Sequence, residues 1–190
     1  MTRKISLAIL VVGFLVASSF VGTAAFTSAT VTRSSSVGVS ADNSAVIKLD
    51  ANEDVAGVSD VDGKLNIALG NGKGLNTDAE FDYGDSSSPS TTYAFTMTNS
   101  AASSVAFTVN YAEGSSFSDS NSDSNLNFEF YKSNGNPITD SSSTDVVITE
   151  EGTGQTFTLS SGTTVYIVIT VDTSGLAKDD DLSGDLEITA

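Results

Sequence analysis

The sequence predicts an all-β protein with two antiparallel sheets packed as a sandwich, and three observations predict it. Short runs of alternating apolar and polar residues, the pattern of strands with one buried face, recur along most of the chain. Ser, Gly, Asn and Asp separate these runs, and no convincing helical period lies between them. The two prolines, Pro89 and Pro137, stand among Ser, Asn or Gly, as expected of loops. A closed β-barrel is the alternative arrangement of the same strands.

The alternating pattern gives about ten strands, a number typical of sandwich domains. In chain order, the predicted strands span residues 29–39, 45–49, 65–69, 79–83, 92–98, 105–111, 126–131, 146–149, 155–159, 163–171 and 185–189. Alternation is cleanest in the runs that contain Met97, Tyr111 and Val171, so their apolar side chains should share one core. The run that contains Val171 also carries Tyr166 and Val168 on its second face. We therefore expect it to be a central strand that is covered on both sides.

The N-terminal segment has the three-part layout of a secretory signal peptide. Basic residues precede an apolar run over 5–21, and small residues follow at 22–25, so we expect a signal peptide helix over 1–25. The alternative is a membrane anchor, but the apolar run is shorter than the span of about 20 residues that a bilayer needs. Residues 26–190 then form a single β-sandwich domain that begins with an extended strand, 26–39. The predicted location is extracellular or on the cell surface, with no stable membrane anchor after cleavage.

The composition excludes several classes of function. The chain has no Cys and no His, which rules out a Ser–His–Asp triad, a Cys–His protease and a His- or Cys-ligated zinc hydrolase. Lys and Arg total 8 against 24 Asp and Glu, and such an acidic surface repels nucleic acid. Concentrated salt screens the repulsion between acidic side chains. The scarcity of Lys therefore suggests a halophilic source.

Paired carboxylates are the catalytic chemistry that this composition leaves open. Glu80, Asp82, Glu150 and Glu151 are the candidates for the acid and base of a glycosidase. Sugar sites commonly use aromatic platforms, but Trp is absent, and the Tyr and Phe residues mostly fall in core positions. The sequence therefore favours a protein that is not an enzyme.

One loop has the spacing of a calcium site. Oxygen-bearing side chains stand at alternate positions, as a chain that curls around one hard cation requires. The expected Ca²⁺ ligands are Asp119, Asn121, Asp123 and Asn125. The sixth position is Ser124 rather than Gly, and Glu129 stands one place before the twelfth. The alternative is a plain solvated loop, in which case the protein has no cofactor.

The segment after the predicted cleavage site, 26–39, has the character of an extended strand that is free to add to a neighbour. It is rich in Ser, Thr and Val and has no Pro, and its apolar side chains share one face that a basic residue interrupts. Such a strand can complete an exposed sheet edge, and a head-to-tail repeat of that contact gives a filament. The alternative is a strand that folds back into its own sandwich. The donor-strand residues are Phe26, Ala29, Val31, Arg33, Val37 and Val39.

Several segments together resemble one group of secreted proteins. They are the signal that ends in Gly-Thr-Ala-Ala-Phe26, the Ser/Thr/Val strand that follows it, and Ala45-Val-Ile-Lys-Leu49. The later segments 93–99, 104–109 and 159–173 agree in style. The chain is similar to the TasA/camelysin-type secreted proteins, and more similar still to a family of small haloarchaeal exported proteins.

This resemblance implies a jelly-roll β-sandwich, with an immunoglobulin-like sandwich as the related possibility. For the better-known members it also implies fibres in a biofilm matrix or bundling pili, in which an N-terminal strand completes the next subunit. By position, 26–39 would be that donor strand here.

We therefore expect a secreted, acidic structural subunit of a cell-surface or extracellular filament. Its partners would be copies of itself, with other envelope or matrix components as further candidates. The first alternative is a monomeric binding module of the cell envelope, with Ca²⁺ as a candidate regulator. A carboxylate-based glycosidase comes third.

Overall fold

A computed structural model describes residues 36–40, 46–61, 64–68, 78–119, 123–177 and 180–190. Within these ranges the chain is all-β, with no helix, as the sequence predicts. The described residues belong to one compact unit, Val31–Ala190. The other unit, Met1–Thr30, contains the predicted signal peptide and lies outside the described residues.

The strands are labelled in chain order. They are β1 (Ser36–Ser40), β2 (Ile47–Ala51), β3 (Val58–Val61), β4 (Lys64–Ala68), β5 (Glu80–Tyr83), β6 (Phe95–Asn99), β7 (Val105–Glu113), β8 (Leu126–Tyr131), β9 (Val147–Thr149), β10 (Gln155–Leu159), β11 (Thr164–Asp172) and β12 (Gly184–Thr189).

These strands form three antiparallel sheets. Two sheets have three strands, in the orders β1-β4-β3 and β10-β7-β12. The third has six strands, in the order β2-β6-β11-β8-β9, and β5 also pairs with β11. Strands β6 and β5 share one edge of β11: β6 pairs with its residues 164–167 and β5 with its residues 169–172. Strand β8 pairs with the other edge of β11. Strand β11 is therefore central, as its sequence predicts.

The observed strands match the predicted runs closely within the described ranges. The run 155–159 is reproduced exactly by β10, and β6 differs most, since it begins at Phe95 rather than at 92. Strand β3 is the exception, because the sequence analysis did not predict it. Its residues Val58-Ser-Asp-Val61 do not alternate, and it is an edge strand that pairs only with β4.

Buried apolar side chains from all three sheets form one hydrophobic cluster. On β7 the buried side chains alternate, as in Phe107, Val109 and Tyr111, while their neighbours in sequence are exposed or half-buried. The burial of these apolar side chains supplies most of the favourable free energy of folding, at about 25 cal/mol per Å² of apolar surface removed from water. The largest fully buried side chains are Phe95, Phe107, Phe128, Phe130, Ile67, Met97, Leu126, Ile148, Ile167, Ile169 and Leu182.

The second face of β11 is also covered, by the connection between β5 and β6. Val168 is buried, and its side chain contacts the backbone at Gly84. The rings of Tyr93 and Tyr166 meet edge to face, with 5.2 Å between their centroids. Pro89, in the middle of the connection, is itself buried. The segment 84–93 therefore acts as a lining of the sheet.

A buried side chain, Asn99, joins two of the sheets. It belongs to β6 in the six-stranded sheet, and it is fully buried. Its Nδ2 donates to the carbonyl of Leu159 on β10 at 2.9 Å and to the carbonyl of Ser103 at 3.0 Å. Its Oδ1 accepts from the backbone N–H of Ala101 at 2.9 Å. All the hydrogen-bonding groups of this buried amide are thus engaged, as a stable interior requires.

Candidate functional site

Strand β1 contains the C-terminal part of the predicted donor strand. In the ladder with β4, Val37 pairs with Ile67 and Val39 pairs with Leu65. Ile67 and Leu65 are both buried. Strand β1 is an edge of its own three-stranded sheet, and it also lies beside β12, an edge strand of the other three-stranded sheet. The sequence leaves open whether this position is filled by the chain's own strand or by that of a neighbouring subunit.

The rest of the predicted donor strand lies outside the described residues. Its members there are Phe26, Ala29, Val31 and Arg33.

The end strands β2 and β9 of the six-stranded sheet carry features that discourage pairing with another strand. Strand β9 has three residues, and the backbone N–H of Val147 donates to Oε1 of Gln155 at 3.2 Å. On the other edge, β2 exposes Lys48 and Asp50, whose charged groups lie 3.0 Å apart. Short edge strands, exposed Lys and side chains that occupy edge N–H groups all limit strand addition.

Glu150 is a buried carboxylate in the turn that follows β9. Its Oε2 accepts from the backbone N–H of Leu126 at 2.8 Å, and its Oε1 accepts from the backbone N–H of Asn125. The side chain is only 3% exposed. Burial raises the pKa of Glu150, the backbone hydrogen bonds oppose that rise, and the nearby charge of Asp119 adds to it.

Asn125 lies directly before β8 and is 1% exposed. Its Nδ2 donates to the carbonyl of Asp172 at 2.6 Å and to the carbonyl of Ser174 at 3.5 Å. These two acceptors fix the orientation of the amide, because a flipped side chain would turn its oxygen toward two carbonyls. The Oδ1 atom is buried and has no hydrogen-bond partner.

Several carboxylates act on Tyr111, which lies in the C-terminal part of β7. The hydroxyl of Tyr111 donates to the carbonyl of Leu182. Burial raises the pKa of Tyr111, and the charge of Glu150 raises it further. Three more carboxylates add to this rise, those of Asp181, Asp185 and Glu113. Carboxylates from β7, from β12 and from two connections therefore act on one buried hydroxyl.

The four predicted calcium ligands have different surroundings. Asn125 is buried and Asp119 is half-buried, whereas Asp123 is exposed. Asn121 lies outside the described residues. Asp119 and Asn125 both interact with Glu150, which the sequence analysis assigned to a different chemistry. In the described parts of the chain, no three acidic side chains group closely enough to hold a metal ion by themselves. A cation here would therefore need neutral oxygen ligands as well.

The glycosidase candidates lie in different surroundings. Glu80 and Asp82 are exposed on β5, and Glu151 is exposed in the turn after β9. Glu150 is buried, and both its oxygens already accept backbone hydrogen bonds. That engagement is typical of a carboxylate that holds a loop in place.

The described residues include no helix that is long and apolar enough to span a membrane. Comparison with known proteins gave no match to a family model, to a curated protein or to a solved structure.

Proposed function

We propose that this protein is a secreted, acidic structural subunit of a cell-surface or extracellular filament. In the filament, the N-terminal strand of one subunit takes the β1 position of the next. The observation that carries this proposal is the place of β1, which pairs with β4 on one side and lies beside β12. The C-terminal part of the predicted donor strand thus lies between strands β4 and β12.

The proposal includes a two-layer jelly roll. The strand order β3-β4-β1-β12-β7-β10 makes one layer, with β1 joining the two three-stranded sheets, and the six-stranded sheet makes the other. The proximity of β1 to β12 supports this arrangement, as does the single hydrophobic cluster to which all three sheets contribute. Packing of two sheets over one such core is the usual architecture of an antiparallel sandwich.

Exchange of β1 between subunits conserves its contacts. The same ladder to β4 forms whether the strand comes from its own chain or from a neighbour, so assembly requires no new surface. Repetition in one direction does not close and gives a filament. The features that discourage pairing at β2 and β9 also favour the β1 position over the six-stranded sheet as the place of assembly.

The test is electron microscopy of the mature chain, starting at Phe26, in about 2–3 M salt, where charges are screened beyond a few ångströms. We expect regular fibres by negative stain and an early-eluting species by size exclusion. A variant that lacks residues 26–39 should stay folded and monomeric. If the mature chain, with residues 26–39 present, remains monomeric under these conditions, the proposal is refuted.

A synthetic peptide of residues 26–40 sharpens this test. Added to the truncated variant, it should bind the empty position, and added to the mature chain it should cap growing fibres. A peptide with Val37→Asp and Val39→Asp should do neither, because these positions pair with buried Ile67 and Leu65. The matched control carries Ser36→Asp and Ser40→Asp, which add the same charge at the two ends of the ladder.

The monomeric envelope binding module is the second candidate, and the carboxylates near Tyr111 favour it. In that case β1 would be an internal strand, and deletion of 26–39 would unfold the domain instead of stopping assembly. Circular dichroism of the truncated variant distinguishes the two outcomes.

A further inference from the structure

The amide oxygen of Asn125 requires an electropositive partner. Its Oδ1 is buried without a hydrogen bond, although the Nδ2 of the same side chain is fully used. A buried acceptor that is left unsatisfied destabilises the folded state. The orientation cannot reverse, since the carbonyls of Asp172 and Ser174 hold the Nδ2. The geometry therefore calls for a donor or a cation at Oδ1.

One carboxylate is hydrogen-bonded to the backbone of Asn125, and a second carboxylate acts on the first. The backbone N–H of Asn125 donates to Glu150, and the charge of Asp119 acts on Glu150. Each Glu150 oxygen uses one lone pair for a backbone N–H, which leaves further acceptor capacity. Among the described residues, no basic side chain forms an ion pair with Glu150.

We propose that Asn125 Oδ1 and the carboxylates of Glu150 and Asp119 bind Ca²⁺. All the donors are oxygens, and an amide oxygen combined with two carboxylates is a ligand set that Ca²⁺ accepts readily, with water in the remaining positions. Zn²⁺, Cu²⁺ and Ni²⁺ prefer imidazole or thiolate ligands, which this chain lacks. Asp123 is exposed and is not part of this site, and Glu150 is added, so the site differs from the loop motif that the sequence predicts.

The proposed cation joins two connections to the sheet. Asp119 belongs to the connection between β7 and β8, Asn125 directly precedes β8, and Glu150 lies in the turn after β9. The cation would therefore hold these connections against the six-stranded sheet. This proposal is independent of filament formation, since none of the three residues lies in β1 or in its pairing partner β4.

The test is calorimetric titration of the mature chain with CaCl₂ in concentrated KCl, together with its thermal unfolding. The titration should extend well above the range of about 10⁻⁴–10⁻³ M at which extracellular calcium modules bind. We expect one saturable site and a rise in the midpoint of unfolding. Absence of both saturable heat and a midpoint shift would overturn the proposal.

Four single variants locate the site. Asp119→Asn and Glu150→Gln should each weaken binding by about tenfold or more, because ligand charge sets calcium affinity. Asp123→Asn, in the same connection, and Asp145→Asn, an exposed carboxylate elsewhere, should change it by less than about twofold. A loss in Asp123→Asn that equals the loss in Asp119→Asn would overturn the proposal in favour of the loop motif. If Glu150→Gln does not fold, Asp119→Asn carries the test, because Asp119 is only half-buried.

Terbium provides a measurement of location. Tb³⁺ replaces Ca²⁺ at oxygen sites, and a nearby tyrosine sensitises its emission. Because Trp is absent and Glu150 acts on the Tyr111 hydroxyl, Tyr111 should be the main sensitiser. Tyr111→Phe should remove most of the emission and leave the calcium titration in place, whereas Tyr166→Phe should change neither. Sensitised emission that survives Tyr111→Phe unchanged would place the ion elsewhere.

Discussion

Substitution of Asn99 by Asp tests whether this side chain joins two sheets. In the native protein its Nδ2 donates to the carbonyls of Leu159 and Ser103, and its Oδ1 accepts from Ala101. Aspartate keeps the acceptor but loses both donors, and it places a carboxylate against two carbonyl oxygens in a fully buried position.

The expected loss of stability follows from those contacts. Two lost hydrogen bonds account for about 2 kcal/mol, and the unsatisfied buried carbonyl of Leu159 adds about 1–3 kcal/mol. We therefore expect Asn99→Asp to lower the free energy of unfolding by about 3–5 kcal/mol at neutral pH, a large share of the 5–15 kcal/mol typical of a domain. Burial raises the pKa of the new carboxyl, so the native state binds more protons than the unfolded state. The penalty should therefore grow as the pH rises above about 4.

The assay is urea unfolding at fixed salt concentration, followed by circular dichroism. The matched control is Asn134→Asp, which adds the same charge at an exposed turn and keeps its acceptor for the N–H of Asn136, 3.1 Å away. We expect the control to change stability by less than about 0.5 kcal/mol, as is usual for surface sites. If the two variants are equally stable, Asn99 does not join the sheets in the way described.

Two further predictions concern packing and charge. A Cβ added at Gly184 would lie too close to the ring of Tyr111. Gly184→Ala should therefore destabilise the protein by about 1–3 kcal/mol through overpacking, as measured by urea unfolding. A variant of wild-type stability would contradict this close approach. Lys48 and Asp50 form an ion pair whose side chains are both more than half exposed, so Lys48→Ala should change stability by less than about 1 kcal/mol, measured by thermal unfolding at low and high salt. A larger, salt-dependent loss would show that this exposed pair matters more than its geometry indicates.

Local alternation was sufficient to predict most of the strands. Strand β10 carries the pattern in full, because the buried Phe157 and Leu159 alternate with exposed threonines. Strand β3 carries no such pattern, since only its ends are apolar and one edge of it is unpaired in the described sheet. The strand order could not be predicted either, because the pairing of β11 with β6 and β8 joins residues that are far apart in the chain.

The candidate cation site was predicted only in part, for a related reason. Alternate oxygen-bearing residues drew attention to Asp119 and Asn125, but Glu150 lies 25 residues beyond Asn125. In sequence, Glu150 stands in Thr-Glu-Glu-Gly, which is typical of a solvated turn. Its burial results from contact between two connections, and no local pattern of residues reports that contact.

The lining of β11 by residues 84–93 bears on how the protein can be labelled. This connection would ordinarily be chosen for inserting a tag or a dye, since it is rich in serine and has no strand structure. It holds buried Pro89 and covers Val168, so an insertion there would expose apolar surface. The turn after β8 is the better place, because Lys132, Ser133 and Asn134 are all exposed there. A fluorophore at that turn would allow single molecules to be followed while the fold stays intact.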